Sequence, residues 1–360
     1  MKEWITCQLG DLITFQRGHD LPKTQMCGGE YPVVGSNGII GYHNEYTTEE
    51  PSITIGRSGN VGKPFLYKGK SWSHNTSLYI KEFKGVDPIF IYYFLQTLDL
   101  GNYAGGSAVP TLNRNHIHTL EVNVPSDIHV QYQIASILSV LDTKIENNKA
   151  INQNLYEQIQ TIYCKDFDPV SHEVTGVLSD ICKLSTDKVQ ISDLSVSTYY
   201  STENMQPNKA GAVDASSLPA VSQTTRCRKG DVLVSNIRPY FKKIVYVTEE
   251  SGCSTDVLCF VPQPDYSAFL FGTLYMDRFF DYMVAGSKGT KMPRGDKQQI
   301  MKYPIVVPTA EAIIAFNAAV TPMLEQIAIN NKENERLATM RDTLLPKLMS
   351  GELDVSEIEL

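Results

Sequence analysis

Several large functional classes are excluded by what this 360-residue sequence lacks. It contains no run of about 18 consecutive apolar residues, so a membrane-spanning helix is not expected. The seven cysteines (Cys7, Cys27, Cys164, Cys182, Cys227, Cys253 and Cys259) are odd in number, scattered and never arranged as C-x-x-C. Structural zinc and a disulfide framework are therefore both disfavoured. The opening "MKEWITCQLGDLI" has no continuous apolar core followed by a small-residue cleavage site, which argues against a secretory signal and for a reducing cytoplasm. Catalytic signatures are missing as well. There is no G-x-S-x-G, no Gly-rich cofactor loop after a strand and no aromatic-Pro tetrapeptide such as N-P-P-Y. Glu82, in "EFK", has no Asp or Glu between Pro51 and Lys81 with which to share a nuclease metal, and reads as a strand edge. Cys164 lies beside a helical seam, where a structural role fits better than a nucleophilic one. The chain is expected to have no catalytic residue and no metal site.

Positive charge is also scarce overall. The net charge is −8, which argues at first against a nucleic-acid partner. The excess acid is not evenly spread. Residues 1–126 carry 10 basic and 11 acidic side chains and residues 174–308 carry 15 and 13, so both segments are near neutral. Residues 127–173 have 3 against 7 and residues 309–360 have 4 against 9. The acidic segments are the two that contain a repeated phrase.

That phrase is "KIENNKAINQNL" from Lys144 and "QIAINNKENERL" from Gln326. Extended outward, Ile134, Leu138, Leu141, Ile145, Asn148, Asn152, Leu155, Ile159 and Ile162 follow alternating steps of four and three, a heptad seam on one long helix. The same offset throughout gives Phe316, Val320, Met323, Ile327, Asn330, Asn334, Leu337, Arg341 and Leu344. Apolar character is kept everywhere except at Arg341 and the two asparagines. Parallel and antiparallel pairing are both conceivable; aligned antiparallel, the register puts Ile134 against Leu348, Ile145 against Leu337, Asn148 against Asn334 and Asn152 against Asn330. Buried asparagine pairs weaken such a coil but penalise slipped registers. A solvated edge would be the plainer role for these amides.

The duplication continues outside the helices. "LGDLI" at Leu9 is answered by "LSDIC" at Leu178, and "LEVNVPSD" at Leu120 by "YPIVVPTA" at Tyr303. "GGSAVPTLNRNHI" from Gly105 has a looser echo in "AGSKGTKMPRGDKQQI". In the first half "SITIG", "PFLYKG" and "TSLYIKEF" read as strands. The helix "DPIFIYYFLQTLD" follows, with Asp87 as cap and Pro88 at its first position. The second half repeats this order with "DVLVSNI", "KIVYVTE" and "VLCFVP", then one helix over "SAFLFGTLYMDRFFDYMV". Each half is thus an α+β domain followed by a long helix.

With both helices in view, "QIASILSVLDTKIENNKAINQNLYEQIQTIY" and "LATMRDTLLPKLMSGELDV" resemble the helical regions of specificity subunits of type I restriction–modification systems. The resemblance covers essentially the whole chain. It implies an α+β fold in which two α/β-type target-recognition domains are separated by two long helices packed as an antiparallel coiled coil, with a pseudo-twofold internal repeat. The expected parts are a first recognition domain over 1–126, a spacer helix over 127–168, a second recognition domain over 174–308, a second spacer helix over 309–350 and a tail over 351–360. The resemblance further implies a non-catalytic subunit that reads a bipartite site in double-stranded DNA. Two adenine methyltransferase subunits would dock on it and bring the S-adenosylmethionine, and a restriction subunit could join. A protein-docking scaffold that binds no DNA is the alternative, and steep salt dependence of DNA binding would separate the two.

Helices used as spacers would set the gap between half-sites. The 28 steps from Ile134 to Ile162 span roughly 42 Å at about 1.5 Å per residue, on the order of 12 base pairs. Base reading calls for Arg toward guanine and Asn or Gln toward adenine, and phosphate holding for Lys, Arg, hydroxyls and free amides. On those grounds the first-domain candidates are Arg57, Ser58, Asn60 and Lys63 in "GRSGNVGK", Trp72, His74 and Asn75 in "SWSHNTS", and Asn113, Arg114 and Asn115 in "TLNRNH". The second domain offers Asn236, Arg238, Tyr240, Lys242 and Lys243 in "SNIRPYFKK", and Ser287, Lys288, Thr290, Lys291, Arg294 and Lys297 in "GSKGTKMPRGDK". Ordinary solvated turns would use the same residue types.

Overall fold

A computed structural model of the chain describes residues 4–26, 28–106 and 110–355. Cys27 and the Ser107–Val109 part of the first Gly-Ser loop lie outside the described residues. The polypeptide forms two compact units, one from residues 1–146 with 334–360 and the other from residues 147–333. Two 40-residue helices, Ile128–Phe167 and Ala310–Met349, each contribute one stretch to each unit.

In the first unit, the three strands read from the sequence join Ile13–Arg17 in one antiparallel sheet, ordered Ile13–Arg17, Ser77–Phe83, Ser52–Gly56, Pro64–Tyr67. The helix Pro88–Gln96 covers it. Asp87 caps that helix as expected, its Oδ1 accepting from Phe90 N at 2.7 Å. Phe90, Ile91, Phe94 and Leu95 close a core with Phe15, Ile53 and Ile55. Ile134 and Leu138 of the first long helix enter the same core beside Leu348 and Met349 of the second, so the helices run antiparallel here.

Arg341, the cation in the seam, does not oppose apolar side chains alone. Its Nη1 donates to Asp142 Oδ1 at 2.7 Å, and Tyr93 Oη donates to Asp142 Oδ2 at 2.6 Å. Burial, reinforced by that hydrogen bond to Asp142, pushes the Tyr93 phenol far up from its ordinary value. The second helix stops at Gly351, whose φ of +76° favours glycine. A Cβ there would fall 2.8 Å from the Trp4 indole. The "SGEL" ending is thus a helix stop packed on the first strand.

The second unit repeats the scaffold. Its principal sheet is ordered Cys182–Leu184, Val257–Pro262, Val232–Ser235, Ile244–Tyr246, all antiparallel, which is the same path as in the first unit. The entry turns match atom for atom. Leu9 N donates to Leu120 O at 2.8 Å, and Leu178 N to Tyr303 O at 2.9 Å. Gln8 N donates to the Asp11 carboxylate, and Val177 N to that of Asp180. The duplicated "LGD" and "LSD" are therefore capped turns held to the last strand of each unit. One expectation fails. "SAFLFGTLYMDRFFDYMV" is two helices, Ser267–Tyr275 and Asp277–Ala285, because Met276 is extended (ψ 139°). Asp277 then opens a second helix, where a carboxylate suits the positive end of the dipole.

Within this unit the long helices again run antiparallel. Phe316 packs against Tyr163 and Phe167, and Asn330 Nδ2 donates to Asn152 Oδ1 at 2.7 Å, the pairing expected from the sequence. Both amides are buried, so the solvated-edge alternative does not hold for them. Asn148 Nδ2 donates to Glu333 Oε2, one residue before Asn334. Asn334 itself belongs to the other unit and is half-buried there. In place of Met323, which is half-buried, Leu324 takes the fully buried seam position. The second helix is apolar and long enough to cross a bilayer by composition, contrary to the expectation of no such segment. Its Ile313, Phe316, Val320, Leu324 and Ile327 are buried in the core of this unit, and 28% of the apolar window is buried in all.

The Asn152–Asn330 pair gives a direct test of register. Asn152→Leu alone leaves the buried Asn330 Nδ2 without this acceptor, while Asn330 Oδ1 keeps its donor Gln326, and is expected to cost about 1–3 kcal/mol, as is Asn330→Leu. The double substitution is expected to recover most of that loss or exceed the wild type. Chemical denaturation in a double-mutant cycle measures the coupling, and additive single effects would show that the amides do not face each other.

Candidate nucleic-acid interface

In each unit one hairpin loop follows the strand that lies third in sheet order, and the chain passes beside it again just before the last strand. In the first unit Leu112 N donates to Arg57 O at 2.9 Å, and Ser58 bridges to Thr111. In the second, Gly295 N donates to Asn236 O at 3.2 Å, and Ile237 bridges to Arg294. The four richest candidate stretches are thereby brought together in pairs: 57–63 with 111–115, and 236–243 with 287–297. The short helix after each second stretch is capped alike. Asn113 Oδ1 accepts from Asn115 N, and Asp296 Oδ1 from Gln298 N.

An open cleft of about 590 Å³ lies at the first crossing, lined by Arg17, Arg57, Asn113 and Arg114. Arg57 Nη1 donates to Asn75 O at 3.4 Å, Asn75 Nδ2 donates to Asp20 Oδ1, and Arg17 pairs with Asp20 at 3.7 Å. The glycines of this loop are dictated by backbone approach, since a Cβ on Gly56 would meet Asn60 O at 1.8 Å. Ser58 is half-buried in its bridge and Asn60 is exposed. Lys63 falls outside this cleft and lines a second one, of about 450 Å³, beside Asp99 and Asn102.

Trp72 and His74 sit elsewhere on the first unit. Trp72 lies on a short strand parallel to Tyr31–Gly35, with its ring edge-on to His19 at 6.0 Å and His43 at 5.0 Å. Its Nε1 is buried with no acceptor among the described residues. His74 Nδ1 is 3.0 Å from Thr76 Oγ1.

At the second crossing several cations are already neutralised. Lys288 is 2.6 Å from Asp296, Arg294 is 3.2 Å from Asp256, and Lys242 is 3.1 Å from Asp277, which Lys209 also contacts. Lys209 and, after it, Lys242 hold the Asp277 carboxyl below its usual range, and Lys288 does the same for Asp296. Lys243 Nζ donates to Thr202 O at 2.6 Å, and burial lowers its pKa. Lys291, Thr290 and Lys297 are exposed, and Ser287 donates to Val284 O. Asn236 is buried, with its Oδ1 unpartnered among the described residues. Arg238 (φ +50°) and Lys242 (φ +51°) adopt a left-handed backbone uncommon for residues with side chains. Between them Tyr240 and Phe241 are turned outward, 49% and 39% exposed.

The surface chemistry is therefore guanidinium-rich in one unit and aromatic with paired charges in the other. Sequence reasoning missed Gln16, Arg17, Lys209 and Phe241. Arg17 ends a strand with no Gly-rich context, so only the sheet register reveals it. Among the described residues no group of three His, Cys, Asp or Glu side chains is placed to hold a metal.

Comparison with known proteins bears on this arrangement. A family model described as type I restriction modification DNA specificity domain matches residues 1–157. The MjaIX specificity subunit of Methanocaldococcus jannaschii is 24% identical over 76% of this chain and 71% of its own length. The EcoDI specificity subunit of Escherichia coli is 20% identical over 98% and 89%. The crystal structure of a type I restriction–modification S subunit from M. genitalium shares the fold, with a TM-score of 0.63, 17% identity and 96% of each chain covered.

Proposed function

We propose that the chain is a DNA-specificity subunit of the kind found in type I restriction–modification systems, with the chemistry left to its partners, and that each unit reads one half of a bipartite duplex site. The match of the first 157 residues to the specificity-domain model and the full-length similarity to specificity subunits support this reading. The observation that carries the proposal is the shared crossing, where one scaffold presents two differently furnished surfaces at equivalent places. A duplicated frame with divergent loops suits two related recognition tasks. The long helices then act as the spacer and carry the partners, two adenine methyltransferase subunits, with a restriction subunit able to join them. Exposed apolar side chains on these helices, including Val140, Ile151, Ile314 and Ile329, support a docking role. S-adenosylmethionine would enter with the methyltransferases, and the site of action would be the cytoplasm, where chromosomal DNA lies.

Modest charge at both crossings predicts weak DNA binding by the isolated chain and strong binding once the methyltransferase subunits are bound. In the assembled complex, affinity for duplex containing the site should fall log-linearly with salt, with a slope of about −0.9 per neutralised phosphate. Filter binding or fluorescence anisotropy between about 50 and 200 mM salt measures it. Salt-independent binding would favour a scaffold that holds proteins alone.

A further inference from the structure

The cleft of the first unit differs in kind from its counterpart. Sheet register makes Arg17 equivalent to Thr186, because Arg17 pairs with Leu78 while Ser185 N donates to Cys259 O on the matching strand. The crossing hydrogen bonds make Arg57 equivalent to Asn236. Two guanidiniums in the first unit thus correspond in position to a threonine and a buried asparagine in the second.

These two arginines are also linked. Asp20 pairs with Arg17 and accepts from the Asn75 side-chain amide, and the Asn75 main-chain carbonyl accepts from Arg57, so one chain of contacts connects the two guanidiniums. Arg114 lies in the same cleft but is exposed at the start of a short helix, with no ion pair among the described residues. The Asn113 side-chain oxygen is engaged by its own helix cap. Gln16 and Thr111 also line the cleft and can accept, but its three arginines are donors only, and their guanidinium forks favour a base edge made of acceptors. In the major groove guanine presents two, O6 and N7, whereas adenine and cytosine each place a donor there.

We propose that Arg17 and Arg57 are specificity-determining residues that read guanine in the half-site bound by the first unit, with Arg114 holding a phosphate. The proposal rests on the reading of this chain as a two-unit DNA reader. It makes the two half-sites chemically unequal, with a guanine requirement of this origin in one only.

Arg17→Lys and Arg57→Lys, tested separately, keep the charge and lose the planar fork. Adenine methylation is mapped genome-wide in cells carrying the wild-type chain or either variant, and thermal melting of each purified chain checks folding. The expected result is an obligate guanine in one half-site whose discrimination drops about 10–100-fold in the variants. The other half-site and the gap stay unchanged. Arg114→Ala should instead weaken methylation evenly across all sites. An unchanged motif in both folded lysine variants, or an even loss in both with the guanine requirement intact, overturns the proposal. Absence of any split motif in the wild type would remove the two-unit reading itself, a failure visible before any variant is compared.

Discussion

Truncating Phe316 to alanine is expected to lower the stability of the unit formed by residues 147–333 by about 3–5 kcal/mol, the range for removing a buried phenyl group. Phe316 is 4% exposed and meets three aromatic neighbours edge-on: Tyr163 at 6.4 Å and Phe167 and Phe269 at 5.7 Å each. Each such pair adds about 0.5–1.5 kcal/mol beyond area burial. Two of these neighbours come from the first long helix and one from the helix Ser267–Tyr275, so one side chain joins three elements. The site has little room to collapse. A Cβ added at Gly272 would already lie 3.2 Å from both Phe316 and Tyr163. Urea denaturation followed by far-UV circular dichroism measures the shift in midpoint. A loss below about 1 kcal/mol would mean that the cavity closes or that this aromatic cluster is not the anchor of the helix pair.

Removing one heptad from each long helix is the second large expectation. Seven residues shorten a helix by about 10.5 Å, equivalent to roughly 3 base pairs of duplex. The deletion must be made in both helices, in segments that face each other, so that the apolar seam and its register survive. Methylation of the original site is then expected to vanish, and a site with the same two halves and a gap about 3 base pairs shorter should appear. A folded protein that retained the original gap would show that the helices do not set it.

Much of this architecture was legible in the sequence because long helices announce themselves by period. Nine positions at one offset predicted both helices; their antiparallel sense came from the family resemblance, and the antiparallel register then gave the Asn152–Asn330 contact, seen at 2.7 Å. Asn148 also donates to a carboxylate, Glu333, and periodicity carries no information about such a local partner. Arg341 looked like a defect in the seam until Asp142 was found beside it. The break at Met276 was invisible because the run around it is apolar throughout and contains no proline.

The candidate interface was legible in part. Gly-rich loops drew attention to 57–63 and 287–297; close backbone approach requires glycine at Gly56, beside the first, and at Gly62 within it, and a positive φ of +101° favours it at Gly289 in the second. Which loops meet could not be read, because that depends on sheet order. Arg57 and Arg114 proved to share a cleft that Arg17 enters from a strand end, while Lys63 lines a different one. Lys288, Arg294 and Lys242 looked like free cations, yet each has a carboxylate within 3.2 Å. Counting lysines and arginines in a loop overstates the charge left over for DNA.

The most direct test of the central claim is a comparison of genome-wide adenine methylation in cells with and without this gene. If this chain holds the sequence specificity, one interrupted motif should lose modification in both of its halves, and every other motif should be untouched. An unchanged methylation map, or loss of an uninterrupted motif instead, would contradict it.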